Sequence, residues 1–149
     1  MSPFFPAFMR RWRGETELSS ARVARYYDDW HERYMAAFGD TFQSQRTGEL
    51  GELFTHIADQ AELVPGMRVL DAGCGTGLCG PLLRPYARRL VGVDLSPGML
   101  EKARQLKLYD ELALGELCMF MNSRPGAFDV IVLADTLVYF GALETAFDA

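Results

Sequence analysis

Cysteine is scarce in this 149-residue chain, with three residues, and histidine is scarcer still, with two. Cys74, Cys79 and Cys118 form neither a CxxC pair nor an even set. That argues against a disulfide framework and suits a reducing compartment. A zinc site needs about four ligands, and His31 and His56 lie far from the cysteines in sequence. No metal site is expected. The cysteines read as small core residues or loop fillers, and the histidines as exposed helix residues. No apolar run approaches the roughly 20 residues of a membrane span. An excess of positive charge is missing too: 15 Lys and Arg face 20 Asp and Glu, a net charge of -5. Neither nucleic acid nor an anionic membrane is therefore expected as a partner. The one basic cluster, Arg10, Arg11 and Arg13, reads as a solvated end. It follows the apolar stretch Phe4 to Met9, the reverse of a secretory signal, so the expected location is cytoplasmic.

What is present is an ordinary globular composition, 49% hydrophobic and 23% charged, in a chain long enough for one domain with a core. Residues 1–18 carry Pro3 and Pro6 and no period, and read as an N-terminal arm. The domain is expected over 19–149. Val23, Tyr27, Trp30, Tyr34 and Phe38 recur at helical spacing from Ser19 or Ser20, with Gly39 just past the end. A second helix follows Thr47, with Leu50, Leu53, Phe54, Ile57, Ala58 and Ala61 on one face. Pro65-Gly66 ends it.

After that turn the pattern changes. Short β-rich runs alternate with helical stretches: Met67 to Leu70, Leu90 to Val93, Glu111 to Leu114 and Val130 to Leu133. Such alternation predicts βαβ units around a parallel sheet. The third run, Glu-Leu-Ala-Leu, also reads as helix. Between the second and third runs a helix is signalled by Ser96 as N-cap and Pro97 in its first position.

The stretch Val69-Leu70-Asp71-Ala72-Gly73-Cys74-Gly75-Thr76-Gly77 follows the first run directly. Glycines there allow a tight turn and let a ligand approach bare backbone outside the carboxyl ends of the strands. A dinucleotide site wants G-x-G-x-x-G. Here Gly73, Gly75 and Gly77 are evenly spaced, and Leu78 stands where the third dinucleotide glycine belongs. An acid, Asp71, also begins the loop. It would repel a pyrophosphate but suits a cationic ligand such as S-adenosylmethionine, with its sulfonium and ammonium groups. Asp94, at the end of the second run, is placed to accept hydrogen bonds from ribose hydroxyls, which both ligand classes possess.

The runs VLDAGCGTG and VGVDLSPGML resemble the first two motifs of class I S-adenosylmethionine-dependent methyltransferases. From Tyr27 to about Glu144 the chain also resembles small methyltransferase domains of the tetratricopeptide-associated type. The resemblance implies an α/β, Rossmann-like fold with strand order 3-2-1-4. It implies S-adenosylmethionine as cofactor and a small-molecule methyl acceptor. Backbone at Gly73, Cys74 and Gly75 would pass the methionine part of the cofactor. Asp94 would hold the ribose, and Leu95 and Met99 would line the adenine pocket. Glu116, with Leu117, would meet the adenine amino group, and Asp135 would sit near the transferred methyl.

For several of these residues a second reading stands. Asp71 could cap the following turn, Glu116 the stretch Leu117 to Met121, and Asp135 the segment after it. Tyr139 could be core or substrate wall. The resemblance further implies seven strands, whereas the sequence ends at Ala149, after the fourth run and within a helix-like stretch, Ala142 to Phe147. A C-terminally truncated domain is the expectation, with a natural short form or a non-catalytic cofactor-binding module as the rivals. The fourth run would then be an apolar sheet edge, open to homodimer formation.

Overall fold

The structure is a computed structural model. It describes residues 57, 58, 60–134 and 136, together with Arg25, Asp28, Asp29, Gly51, Phe54 and Thr55. Tyr139, His31, His56, the arginine cluster, the N-terminal arm and the segment from Ala142 lie outside the described residues. So does most of the first expected helix; Arg25, Asp28 and Asp29 of it are helical. The described residues of the second are helical from Gly51 to Gln60, and the chain then turns at Pro65 and Gly66.

Four parallel strands follow: β1 (Met67–Ala72), β2 (Ala87–Asp94), β3 (Glu111–Leu114) and β4 (Val130–Val132). Their order is β3-β2-β1-β4, as expected. Helices α1 (Gly80–Leu83), α2 (Pro97–Gln105) and α3 (Leu117–Asn122) connect them in turn. Several boundaries differ from the expected runs: β1 continues to Ala72 and β2 to Asp94. β2 begins three residues early, because Arg88 and Arg89 are exposed and break the apolar run that marks a buried strand. The connection from the glycine loop to β2 holds one short turn of helix only, α1, starting at Gly80. β4 ends at Val132 rather than Leu133.

Side chains alternate across the sheet, as a period of two requires. Leu70, Ala72, Val91 and Val93 face one way and pack against Leu117 and Met121 of α3. Val69 and Leu90 face the other way, with Leu83 of α1 and Ala87. Polar clamps set the strand order at the opposite end from the glycine loop. Arg68 donates through Nη2 and Nε to the two carboxylate oxygens of Asp129, at 2.6 and 3.1 Å, and through Nη1 to the Gly126 carbonyl at 3.0 Å. That fork seats β4 beside β1. Arg89 and Arg124 both donate to Glu111, at 2.9 and 2.6 Å, fixing the start of β3.

Candidate functional site

The sheet order reverses at β1, which has β2 on one side and β4 on the other. In parallel α/β sheets ligands bind outside the carboxyl ends of the strands at this switch. The loop 73–77 lies there. The amides of Gly73 and Cys74 donate to the Val93 carbonyl at 2.8 and 3.0 Å, and Gly77 donates to Cys74 O at 2.8 Å. Gly73 has φ +74, and a Cβ on it would meet Thr136, with Cγ2 at 2.7 Å. Thr136 follows β4 and donates its hydroxyl to Ala72 O at 2.9 Å. Position 73 thus requires glycine both for its backbone conformation and for space.

Asp94 closes the loop from the β2 side. Its Oδ2 accepts the Gly75 amide at 2.8 Å and its Oδ1 the Ser96 amide at 2.9 Å. Burial raises its pKa, and the hydrogen bonds from Ser96 and Gly75 oppose that rise. Ser96, fully buried, is the N-cap of α2 and accepts the Met99 amide at 3.1 Å. Its hydroxyl in turn donates to Asp28, which also accepts the Gly98 amide at 3.2 Å. Met99 is buried, and its sulfur lies 3.6 Å from where a Cβ on Gly75 would stand. Leu95 is half-buried beside them.

Asp71 behaves otherwise than as a turn cap. The turn amides are held by the Val93 and Cys74 carbonyls and by Asp94, while Asp71 accepts the Tyr109 hydroxyl at 2.6 Å. Asp71 is 2% exposed. Burial pushes its pKa up to about 6; the Tyr109 bond pulls it down, and the charge of Asp94 adds to the rise. Burial, followed by the charges of Asp71 and Asp94, also pushes up the Cys74 thiol, so Cys74 is a buried neutral filler.

Glu116 is the N-cap of α3: its two oxygens accept the amides of Cys118 and Met119 at 3.0 and 2.8 Å. Leu117 points into the core against β1 and β2. Asp135 lies outside the described residues. The tertiary structure therefore brings Asp71, Gly73, Cys74, Gly75, Asp94, Leu95 and Met99 together, with Glu116 one strand away at the end of β3. Sequence reasoning missed Tyr109, Asp28 and Thr136. Each acts on a residue 38 or more positions away, as the Tyr109–Asp71 pair shows, so no local spacing announces it.

Residues 69–149 match a protein family described as methyltransferase domain. The 18S rRNA (guanine-N(7))-methyltransferase of Bos taurus is 39% identical over 64 residues, 43% of this chain and 23% of that protein. The malonyl-[acyl-carrier protein] O-methyltransferase of Serratia marcescens is 43% identical over 53 residues, 36% of this chain and 21% of that protein. The matched part thus spans under a quarter of these relatives. The crystal structure of magnesium protoporphyrin IX methyltransferase from Synechocystis PCC 6803 with bound SAM superposes with a TM-score of 0.63 at 20% identity. It covers 89% of this chain and 69% of that one.

Proposed function

Because the chain belongs to the methyltransferase domain family and has the sheet of class I methyltransferases, we propose that it binds S-adenosylmethionine at loop 73–77 and transfers the methyl group to a small-molecule acceptor. The observation that carries the reading is the Asp94 carboxylate, held at the end of β2 against the loop amide of Gly75. Its two oxygens accept the amides of Gly75 and Ser96, and the Leu95 amide bears on the carboxylate as well, while a carboxylate offers about four lone-pair sites. Acceptor capacity for a ribose hydroxyl is left over. Bare backbone at Gly73 and Gly75 suits the methionine part, and the Met99 thioether and Leu95 offer an apolar wall for adenine. Glu116 keeps acceptor capacity for the adenine amino group beyond its capping bonds, with Leu117 supplying backbone beside it. Asp135 is proposed at the methyl end.

The cofactor supplies a methyl group on a sulfonium whose leaving group is a neutral thioether. No protein acid is needed to protonate it. The chain's task is to hold donor and acceptor in line, the proximity effect that makes a second-order step effectively first-order. A base is needed only for an acceptor that must lose a proton. Relatives act on rRNA and on an acyl group by their names. The small-molecule reading is supported by the net charge of -5, which is poorly suited to RNA phosphates. Among the described residues no helix is long and apolar enough to cross a membrane; a cytoplasmic location goes with the reading. β4 pairs only with β1 among the described residues, and Ile131 on it is exposed, so the outer edge is proposed as a homodimer contact. Light scattering across a concentration series tests that, and a monomer throughout sinks it.

Calorimetric titration with S-adenosylmethionine and S-adenosylhomocysteine tests the cofactor. Binding of both is expected. Failure of both with folded protein overturns the reading, and binding of NADH instead would favour an oxidoreductase. Transfer of label from methyl-labelled cofactor to a panel of small acids and hydroxyl compounds, with RNA as the competing acceptor, separates the acceptor classes.

A further inference from the structure

We propose that Tyr109 is the positioning residue of the glycine loop: its ring props the loop against β2, and its hydroxyl fixes the Asp71 carboxylate beneath it. The inference rests on the reading of that loop as an S-adenosylmethionine site. Tyr109 comes from the segment between α2 and β3, which no motif of the site includes. Its ring lies against three glycines from two stretches of chain, the loop running into α1, and β2. A Cβ on Gly77 of the loop would lie 3.2 Å from Cε2 of the ring. On Gly80, at the start of α1, it would lie 3.0 Å from the hydroxyl oxygen, and on Gly92, inside β2, 3.1 Å from Cδ1. A glycine inside a buried strand weakens it unless something fills the space. Here Leu112 Cδ2, at 2.7 Å, Cys74 Sγ, at 2.9 Å, and the tyrosine ring fill it together.

The segment that carries Tyr109 is clamped on both sides. Arg84 donates to the Leu108 carbonyl at 3.2 Å and to the Asp110 carboxylate at 2.7 Å. Asp110 also accepts the Leu90 amide at 2.7 Å, and its own amide donates to Leu90 O at 2.8 Å. The tyrosine is thereby seated rigidly over β2, and its hydroxyl meets Asp71 at 2.6 Å. A buried carboxylate with no donor takes up a proton. The hydroxyl counters that, so that burial, opposed by this bond, leaves the pKa at about 6. Asp71 consequently stays charged at neutral pH, behind the loop that is to receive a cation.

The test is the affinity for S-adenosylhomocysteine, whose ammonium group retains a cation, followed from pH 5.5 to 8.5 in wild type, Tyr109→Phe and Asp71→Asn. Tyr109→Phe keeps the ring, so folding is retained, and a thermal melt checks it. At pH 7 both variants should lose about ten-fold, the scale of one charge-assisted interaction. Tyr109→Phe should regain affinity as pH rises, and Asp71→Asn should not. Carboxyl carbon NMR of Asp71 should place its midpoint near 6 in wild type and higher in Tyr109→Phe. Either variant keeping wild-type affinity, or Tyr109→Phe losing the same factor at every pH, overturns the positioning role. A wild type that binds no S-adenosylhomocysteine overturns the cofactor reading instead; the pairing is then decided by the NMR midpoint alone, and an unmoved midpoint overturns it.

Discussion

Asp94 accepts the amide of Gly75 at 2.8 Å, 19 residues back along the chain, and so joins the end of β2 to the middle of the glycine loop. The same carboxylate takes the Ser96 amide and with it orients the start of α2. Asp94→Ala removes the ribose acceptor and frees both amides. Affinity for S-adenosylhomocysteine is expected to fall by roughly 1–3 kcal/mol, the cost of losing hydrogen bonds to a charged group. Calorimetry reads it, and unchanged affinity means that the ribose lies elsewhere.

Gly73 and Gly126 both have positive φ, +74 and +66, but differ in what surrounds them. A Cβ on Gly126 meets nothing within 4 Å, whereas on Gly73 it runs into Thr136. Gly126→Ala should therefore show only backbone strain, about 1–2 kcal/mol. Gly73→Ala should cost more and weaken cofactor binding as well. Urea unfolding of the two variants side by side checks the ranking; equal losses would mean that the Thr136 contact gives way freely.

The buried and exposed acids act on stability with opposite signs. Asp71 has its pKa raised from 3.8 to about 6, so its contribution is present at low pH and is lost as pH rises from about 4 through 6. Asp129 is held well below the usual carboxylate range, first by its side-chain bond to Arg68, and Asp110 and Glu111 are lowered too. Their contribution is present above the usual range and is lost as pH falls below about 4. Asp71→Asn should flatten the limb of the stability curve between about pH 4 and 6, and Asp129→Asn the limb below 4. Urea midpoints measured at stepped pH give both limbs, and a limb unchanged by its variant would refute the assignment.

Asp28 takes the Ser96 hydroxyl and the Gly98 amide, and so ties an N-terminal helical residue to the start of α2. Asp28→Ala should cost about 1 kcal/mol, the usual net value of such bonds. Faster hydrogen exchange is expected at the amides of Gly98 and Met99. Unaltered exchange there would show that Ser96 caps α2 without help.

The parallel sheet and its loop were legible because their signals are local. Val69 and Leu70 run directly into the glycines, and Ser96-Pro97 marks the start of α2 within two residues. Glu111 to Leu114 was not decidable, since Glu-Leu-Ala-Leu suits helix and strand alike. Pairing with Val91 to Asp94 makes it β3. Glu116 was read both as a ligand contact and as a cap. Its geometry shows the cap, because the amides of Cys118 and Met119 need an acceptor wherever a helix begins.

The alternation of strands and helices, the bare backbone at Gly73 and Gly75, and the acid at the end of β2 are all written locally in the amino-acid order. Each follows from side chains that neighbour one another along the chain. The role of Asp71 is set by long-range packing. A carboxylate beside a glycine loop is free to cap, to face a ligand or to be buried. The choice was made by Tyr109, 38 residues away, whose ring fits where Gly77, Gly80 and Gly92 leave room and whose hydroxyl is the donor a buried charge requires.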